Sequence, residues 1–360
     1  MKKIVLAGGG TAGHIEPALA VARELRSRYP QSLITFLGTK SGLETRLVPD
    51  AGFQLSLISK VKIARSFSPT LAFIPFLLIR SIAQSIQVLR GADVLVGFGG
   101  YVSGPAYIAA ALTRTPIVIH EANARPGIAN RMGAHLTRYK AVSHFAHEGV
   151  LSKALISGLP LREDVVSAFR AASADWKSAR LDAKRSLGFS DSKPLIFIFG
   201  GSQGSSAINA VITSAQAELE KAGIQILHGV GAANPLPDST DGYRAQNYIT
   251  DMATAYLAAD IVISRSGAVT CAEVNTLGRF ALFIPLPIGN GEQELNGQEL
   301  VTQGRAEIVQ QKNFTSQWLV QNLPQLLAKS AATPLQGSSA DMEAASKIAS
   351  LIEHAVKGGK

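Results

Sequence analysis

Residues 2–17 read KKIVLAGGGTAGHIEP: an apolar run, a glycine-rich turn and then apolar residues at helical spacing. Residues 194–204 repeat the arrangement as PLIFIFGGSQG, and a second helical pattern follows. A strand, a glycine-rich turn and a helix in this order open an α/β nucleotide-binding domain. The glycines let phosphates approach the free N–H groups at the helix N-terminus. Two such openings predict two doubly wound α/β domains.

Short apolar runs between helical patterns are typical of a parallel sheet that is covered on both faces. They occur at residues 33–37, 94–97, 116–119, 224–228, 260–264 and 280–284. We expect residues 1–162 to form the first domain and residues 163–340 the second. Residues 341–360 are expected to form a helix that packs back toward the first domain.

Composition and charge exclude several classes of protein. Of the 360 residues, 46% are hydrophobic and 17% charged, which excludes a disordered chain. The single cysteine, Cys271, excludes a disulfide framework within the chain. The net charge of +9 is uneven, because residues 1–162 carry +12 and residues 163–360 carry −3. A basic domain indicates a nucleic acid, a membrane surface or a phosphorylated substrate. No nucleic-acid recognition motif is visible, so nucleic acid is the least favoured.

The longest apolar run, LAFIPFLLI at residues 71–79, is too short to span a bilayer. The apolar run at the N-terminus is likewise too short for a signal peptide, so a cytoplasmic protein is expected. Lysines and arginines flank residues 71–79, as suits a helix lying on an anionic leaflet. A buried core helix is the alternative. In the membrane interpretation, Phe73 and Phe76 contact the lipid.

Polar residues follow several of the predicted strands of the first domain. Ligands of doubly wound sheets bind beyond the carboxyl ends of the strands. We therefore expect one rim to collect His14, Tyr101, Ser103, His120, Glu121 and Asn123. The histidines in residues 144–148 (HFAHE) lack the spacing of a zinc site, and no metal is predicted.

The second domain carries a comparable set of polar residues. Arg265 ends a strand just before a helix, where a diphosphate would rest on the helix N-terminus. Glu273, expected near the first turn of that helix, is placed to accept two ribose hydroxyls. An acid there also simply stabilises the helix dipole. Residues 288–296 (IGNGEQELN) form a polar loop that suits a sugar.

Six motifs in order along the chain together resemble the MurG family: residues 8–17 (GGGTAGHIEP), 97–105 (GFGGYVSGP), 120–123 (HEAN), 200–204 (GGSQG), 265–273 (RSGAVTCAE) and 292–296 (EQELN). The resemblance implies a GT-B fold, with two Rossmann-like domains facing a cleft. It implies inverting transfer of N-acetylglucosamine (GlcNAc) from UDP-GlcNAc to O4 of the muramoyl sugar in undecaprenyl-pyrophosphoryl-MurNAc-pentapeptide. This is a step of peptidoglycan synthesis, and hence of cell-wall growth, cell shape and division. A peripheral enzyme on the cytoplasmic face of the cell membrane follows, with other cell-wall enzymes as further partners.

The resemblance also implies roles for individual residues. The donor-site positions of the family correspond to Thr11, Ala12, Gly13, Asn123, Arg162, Ser202, Ile249, Ala268, Glu273 and Gln293. Arg265 is added as a diphosphate group. His14 is the first choice for the catalytic base and Glu121 the second. The chain has no Asp-x-Asp motif, so neither a catalytic metal nor a cofactor is expected. Ala12 and Glu292 replace a glycine and a glutamine of many relatives, and residues 105–107 depart from a more glycine-rich pattern.

Two alternatives remain open at this point. Residues 8–13 also satisfy the G-x-G-x-x-G pattern of a dinucleotide enzyme. The second strand lacks the terminal acid that NAD requires, but Lys40 suits the 2′-phosphate of NADP. An NADP-dependent oxidoreductase leaves the second glycine loop unexplained. The other alternative is a nucleotide-sugar-binding protein without catalytic activity.

Overall fold

A computed structural model describes residues 1–61, 74–144 and 149–358. The chain divides into two compact units. Unit 1 comprises Met1–Arg162 and Asp341–Lys360, and unit 2 comprises Glu163–Ala340. Each unit contains a parallel sheet with helices on both faces, which confirms the predicted pair of doubly wound α/β domains.

The sheet of unit 1 has the strand order β3-β2-β1-β4-β5-β6-β7, with every pair parallel. The strands are β1 (Lys3–Gly8), β2 (Leu33–Gly38), β3 (Gln54–Leu57), β4 (Val94–Gly99), β5 (Ile117–Glu121), β6 (Tyr139–Val142) and β7 (Leu155–Ile156). The helices between them are α1 (Ala12–Arg28), α2 (Glu44–Asp50), α3 (Ile74–Leu89), α4 (Ser103–Thr113) and α5 (Ile128–Gly133).

The alternation of side chains along β1 builds both layers of the unit 1 core. Ile4 and Leu6 lie in the cluster formed with α1, whereas Val5 and Ala7 lie in the cluster formed with α4. Successive side chains of a strand point to opposite faces of the sheet, so an uninterrupted apolar strand must be covered twice. This requirement fixes β1 in the middle of the sheet.

The sheet of unit 2 has the order β10-β9-β8-β11-β12-β13, again all parallel. The strands are β8 (Leu195–Phe199), β9 (Gln225–Gly229), β10 (Tyr243–Gln246), β11 (Ile261–Ser264), β12 (Phe280–Phe283) and β13 (Ala306–Ile308). The helices are α6 (Glu163–Ala172), α7 (Trp176–Ser186), α8 (Ser206–Lys221), α9 (Met252–Ala258), α10 (Ala268–Thr276), α11 (Glu292–Thr302) and α12 (Ser316–Ala332).

Each sheet has a switch point, at which the chain stops adding strands on one side of the sheet and begins to add them on the other. It lies between β1 and β4 in unit 1 and between β8 and β11 in unit 2. Loops that leave the carboxyl ends of two such strands diverge and open a crevice, the usual ligand site of this architecture. The glycine-rich loops of the sequence follow these very strands.

The last helix, α13 (Ala344–Gly358), belongs to unit 1 and packs against α1. Arg28 of α1 fastens it: the guanidinium donates to Ser346, Ser350 and Glu353. The ends of the chain are therefore joined within one unit.

The cation-flanked apolar segment is described from Ile74 onward, and Phe73 lies outside the described residues. Helix α3 exposes Phe76 (63%) and Ile79 (67%) to solvent, while Ser81 and Ser85 are buried. Its outer face is thus more apolar than a solvated helix requires. In the part of the chain that the structure describes, no helix is long and apolar enough to span a membrane.

Candidate active site

The glycine loop between β1 and α1 forms one side of the unit 1 crevice. Gly10 has φ +97°, a conformation that L side chains rarely adopt, and a Cβ there would lie 2.7 Å from the Tyr101 ring. Helix α1 begins at Ala12, after Thr11. The side chain of its N-cap residue, Thr11, makes no capping hydrogen bond, and the Thr11 hydroxyl lies 3.2 Å from His14 Nδ1 instead. The positive end of α1 is therefore open to an anion.

The loop after β4 forms the other side of the crevice and touches the first loop. Gly99 and Gly100 also have positive φ, +92° and +79°. A Cβ on Gly99 would lie 3.1 Å from His14 Cδ2, and one on Gly100 would lie 2.4 Å from the Gly9 carbonyl oxygen. The two loops thus enclose the His14 imidazole, and only glycine permits this approach.

Electrostatics tune His14 toward its neutral form. Desolvation by the packed loops lowers its pKa below 6.5, while the Glu121 charge and a hydrogen bond to the Gly9 backbone act in the opposite direction. A neutral imidazole beside a carboxylate is able to take a proton from a substrate hydroxyl at neutral pH. His14 is therefore the candidate base of this crevice, and the charge of Glu121 acts on it.

Glu121 ends β5 and is almost fully saturated with hydrogen bonds. One oxygen accepts from the backbone and side-chain N–H groups of Asn123, both at 3.0 Å. The other accepts from Gly127 N at 3.1 Å and from Asn130 Nδ2 at 3.0 Å. The carboxylate thereby holds the whole turn between β5 and α5 in place.

Two other residues expected at this rim are engaged in the fold itself. His120 is buried, with Nε2 3.2 Å from both the Gly158 carbonyl and the Ser143 hydroxyl, and burial lowers its pKa to about 4. Ser103 is buried and donates to the carbonyls of Ala7 and Gly99, at 2.9 and 2.7 Å. These side chains join neighbouring strand ends. His14, Tyr101, Glu121 and Asn123 are the ones placed at the crevice.

Unit 2 repeats the arrangement at its own switch point. The loop of residues 200–204 carries Gly201 and Gly204 with φ +89° and +74°, and it includes the half-buried Ser202. Ser205 then caps α8, its hydroxyl accepting from Ile208 N at 3.4 Å. Helix α10 starts next to this loop, at Ala268, and has no side-chain cap within the described residues. Two helix N-termini therefore converge at the carboxyl ends of β8 and β11.

Arg265 was expected to meet a diphosphate, but its guanidinium is occupied by protein acceptors. Nη1 donates to the carbonyls of Ile284 and Pro285, at 2.9 and 3.2 Å. Nη2 donates to Ser205 Oγ and to Gln311 Oε1, at 2.8 and 2.6 Å. Burial lowers its pKa from the usual value of 12.5. Arg265 thus braces the end of β12 against the cap of α8.

The other unit 2 candidates lie along the same edge of the sheet. Glu273 stands in the second turn of α10 and not near its first, and it is buried with Oε2 accepting from Tyr256 at 3.0 Å. Gln293 on α11 accepts from Leu286 N at 3.0 Å. Ile249 is buried against Gly229, so that only its backbone suits recognition of a base. Thr11, Ala12, Gly13, Asn123 and Arg162 belong to unit 1, and Ser202, Ile249, Arg265, Ala268, Glu273 and Gln293 to unit 2.

Sequence reasoning missed Glu44, the first residue of α2. Its carboxylate is fully buried behind the first glycine loop and accepts hydrogen bonds from Gly10, Thr39 and Tyr101. Residues 38–44 read GTKSGLE, and the glycines at 38 and 42 were the only local signal. For metal ligands, the described residues contain no cluster of three or more His, Cys, Asp or Glu side chains.

Comparisons with known proteins agree with this geometry. Residues 4–140 match the model of the glycosyltransferase family 28 N-terminal domain, and residues 195–354 match that of its C-terminal domain. Two curated relatives are named UDP-N-acetylglucosamine--N-acetylmuramyl-(pentapeptide) pyrophosphoryl-undecaprenol N-acetylglucosamine transferase. The Streptomyces coelicolor protein is 45% identical over 90% of this chain and 89% of its own length. The Frankia casuarinae protein is 40% identical over 99% and 96%.

Solved structures give the same result. The crystal structure of Acinetobacter baumannii MurG superposes with a TM-score of 0.71 at 28% identity, covering 98% of this chain and 100% of that one. A Neisseria meningitidis UDP-GlcNAc 2-epimerase bound to UDP-GlcNAc has a TM-score of 0.61 at 15% identity over 98% of this chain and 100% of that one. At that identity the second likeness concerns the fold alone.

Proposed function

The chain belongs to the MurG family of the family 28 glycosyltransferases, and from this premise we propose that it transfers GlcNAc from UDP-GlcNAc to undecaprenyl-pyrophosphoryl-MurNAc-pentapeptide. The observation that carries the proposal is the pair of crevices, one at each switch point, each beside a helix whose N-cap residue makes no side-chain capping bond in the described part of the chain. One such crevice suits the diphosphate of a nucleotide sugar, and a second suits a pyrophosphate-linked acceptor. An oxidoreductase needs only one of them and is not favoured by the relatives.

In this proposal unit 2 binds the donor. The N-termini of α8 and α10 stabilise the diphosphate, and Glu273 and Gln293 bind the ribose and the GlcNAc hydroxyls. Ile249 reads the uracil through its backbone. Arg265 acts indirectly, by fixing Ser205 at the start of α8.

Further donor contacts are proposed for Thr11, Ala12, Gly13, Asn123, Arg162, Ser202 and Ala268. In the reaction, the acceptor O4 attacks C1 of GlcNAc as the bond from C1 to the UDP oxygen breaks. This single displacement inverts the configuration at C1. The electron pair leaves with UDP, and the O4 proton passes to a base.

His14 is the proposed base. Its imidazole is kept largely neutral by desolvation, and the loops around it leave no room for a larger side chain at Gly99 or Gly100. Glu121 suits the role less well, because all four of its described hydrogen bonds hold the turn after β5. Its negative charge instead stabilises the imidazolium that forms.

Transfer to a lipid-linked acceptor tests the function, and His14→Ala tests the base. Wild-type enzyme should form the disaccharide product, and His14→Ala should lower kcat by about 10²–10⁴. His354→Ala is the matched control, since His354 is exposed on α13. Absence of product from the wild-type chain would refute the function. A kcat of His14→Ala within tenfold of wild type would remove His14 as base.

We also propose that unit 1 docks on the anionic cytoplasmic face of the cell membrane, beside other cell-wall enzymes. Support comes from the +12 charge of its sequence and from the exposed Phe76 and Ile79 on α3. Replacing Phe73 and Phe76 with serine should weaken binding to anionic vesicles and leave UDP-GlcNAc affinity unchanged. Leu236→Ser, at an exposed site of unit 2, is the control. Equal binding of wild-type enzyme to neutral and anionic vesicles would contradict the electrostatic part.

A further inference from the structure

Three loops of unit 1 meet on the carboxylate of Glu44. Oε2 accepts from Gly10 N at 3.0 Å, in the loop after β1. Oε1 accepts from Thr39 N at 2.9 Å, in the loop after β2, and from the Tyr101 hydroxyl at 3.0 Å, in the loop after β4. The Thr39 hydroxyl adds a weaker contact at 3.3 Å. A single buried acceptor therefore ties together the ends of three adjacent strands.

The surrounding backbone reserves space for this side chain. A Cβ on Gly42 would lie 1.9 Å from Glu44 Oε2, one on Gly38 2.5 Å from its Cγ, and one on Gly9 3.2 Å from Oε1. Burial alone would raise the pKa of Glu44, but the N–H donors of Gly10 and Thr39 outweigh it and the pKa is lowered. The carboxylate is thus charged at neutral pH, and its charge is satisfied by the loops.

The contact with Gly10 bears directly on His14. The N–H of Gly10 and the C=O of Gly9 belong to one planar peptide group, and in a trans peptide they point in opposite directions. Glu44 holds the N–H, while the Gly9 carbonyl oxygen and His14 Nδ1 both lie within 3.4 Å of the Cβ position of Gly100, which places the carbonyl beside the imidazole. A hydrogen bond with the Gly9 backbone raises the pKa of His14. A peptide between two glycines rotates with little steric resistance, so its orientation requires an anchor.

We propose that Glu44 is a positioning residue for the transfer reaction: by fixing the Gly9–Gly10 peptide it aims the Gly9 carbonyl at His14 and so orients the imidazole that takes the O4 proton. The inference rests on the proposed role of His14. Glu44 itself touches neither substrate, and it acts through the peptide. Titratable and charged groups on the elements around His14 are Glu16 on its own helix, Glu44 on α2, Tyr101 with Lys60 over its ring, and Glu121 at the end of β5.

Glu44→Gln tests the proposal, because it keeps the shape and removes one acceptor. The NH₂ group of the glutamine side chain then faces N–H donors that it cannot accept from, and the Gly9–Gly10 peptide is no longer held. We expect kcat to fall roughly 10–100-fold, as for a base that is misplaced by a fraction of an ångström. The KM for UDP-GlcNAc should change by less than kcat, because the groups proposed to bind its uracil, ribose, diphosphate and GlcNAc hydroxyls lie in unit 2. Loss of the Gly9 hydrogen bond lowers the His14 pKa, so the acidic limb of kcat/KM should move to lower pH.

Thr39→Val is the matched control. It removes the hydroxyl contacts to Glu44 at 3.3 Å and to the Tyr101 hydroxyl at 3.0 Å, and leaves the carboxylate, its charge and the bond to Gly10. Its kcat should stay within about threefold of wild type and its acidic limb should not move. The His14 titration, followed by ¹⁵N NMR without substrates, should shift in Glu44→Gln and not in Thr39→Val.

The proposal is overturned if Glu44→Gln keeps wild-type kcat, or if it loses activity while the His14 titration stays in place. If Glu44→Gln does not fold, the proposal is tested by NMR on the Gly10 amide proton of the wild-type chain. A downfield amide proton that titrates with a carboxyl group at low pH supports the proposal, and a freely exchanging one overturns it. The NMR results stand even if the wild-type chain transfers no GlcNAc, so failure of the proposed function is distinguishable.

Discussion

Replacing Glu121 with glutamine separates a carboxylate that holds a loop from one that takes a proton. The present carboxylate accepts four hydrogen bonds from Asn123, Gly127 and Asn130, all at 3.0–3.1 Å. Glutamine has one acceptor oxygen, and its NH₂ must face two of these donors. Glu121→Gln therefore leaves two N–H groups without an acceptor in a turn that is only partly buried.

The expected cost follows from that count. An unsatisfied donor costs about 1–3 kcal/mol when it is fully buried and less where water reaches it, so the variant should lose at most on the order of 2–6 kcal/mol of stability. In a domain of this size each kcal/mol lowers Tm by about 2–4 °C, and a loss of about 4 kcal/mol corresponds to roughly 8–16 °C. Glu353→Gln is the control, because its partly exposed ion pair with Arg28 contributes only about 0–1 kcal/mol.

Scanning calorimetry of the full chain measures the Tm, and kcat/KM against pH gives a second readout. The Glu121 charge raises the His14 pKa, so its removal should move the acidic limb to lower pH. Glu121→Gln should retain residual transfer, because His14 remains. A variant that melts like wild type and has lost all transfer would refute this reasoning and make Glu121 the base.

Three further predictions concern pH, the donor site and metal. Burial lowers the pKa of His120 and His228 to about 4, so both are neutral when folded and protonate first in the unfolded chain. The free energy of unfolding is therefore unaffected by these two groups above pH 6.5, and each lowers it by up to about 3 kcal/mol as the pH falls toward 4. Urea unfolding that shows no loss of stability from pH 7.5 to 5 would contradict this. Arg265→Met should raise the Kd for UDP-GlcNAc about tenfold, because it frees Ser205 at the start of α8. Calorimetry that finds wild-type affinity would show that the contact between Arg265 and Ser205 does not affect donor binding. Because the sequence has no Asp-x-Asp motif, transfer should continue in EDTA, and activity that is lost there and restored by magnesium would refute this expectation.

The fold class was predictable because central strands are buried on both faces. The run at residues 194–199 became β8 (Leu195–Phe199) and the run at 260–264 became β11 (Ile261–Ser264). The GT-B-like class with two parallel-sheet units is confirmed. The four edge strands β3, β7, β10 and β13 were missed, together with β6, since their segments are short and none is buried throughout. An edge strand lacks one neighbour and carries little hydrophobic signal, so its pairing is decided by tertiary contacts.

The roles of charged residues were less predictable, because a role depends on partners that are distant in sequence. Arg265 and Ser205 are 60 residues apart, and Glu44 and Gly10 are 34 apart. Both pairs meet because the strand order places the ends of β8, β11 and β12, and those of β2, β1 and β4, side by side. A local pattern marks where a phosphate would approach, but it does not tell whether a nearby charge is free to meet it. The hydrogen bonds of the folded chain show which groups remain available. Protein oxygens accept the N–H groups of the Arg265 guanidinium, whereas the N-cap residues of α1 and α10 make no side-chain capping bond within the described residues. The anion sites are therefore better assigned to backbone N–H groups than to the nearest arginine.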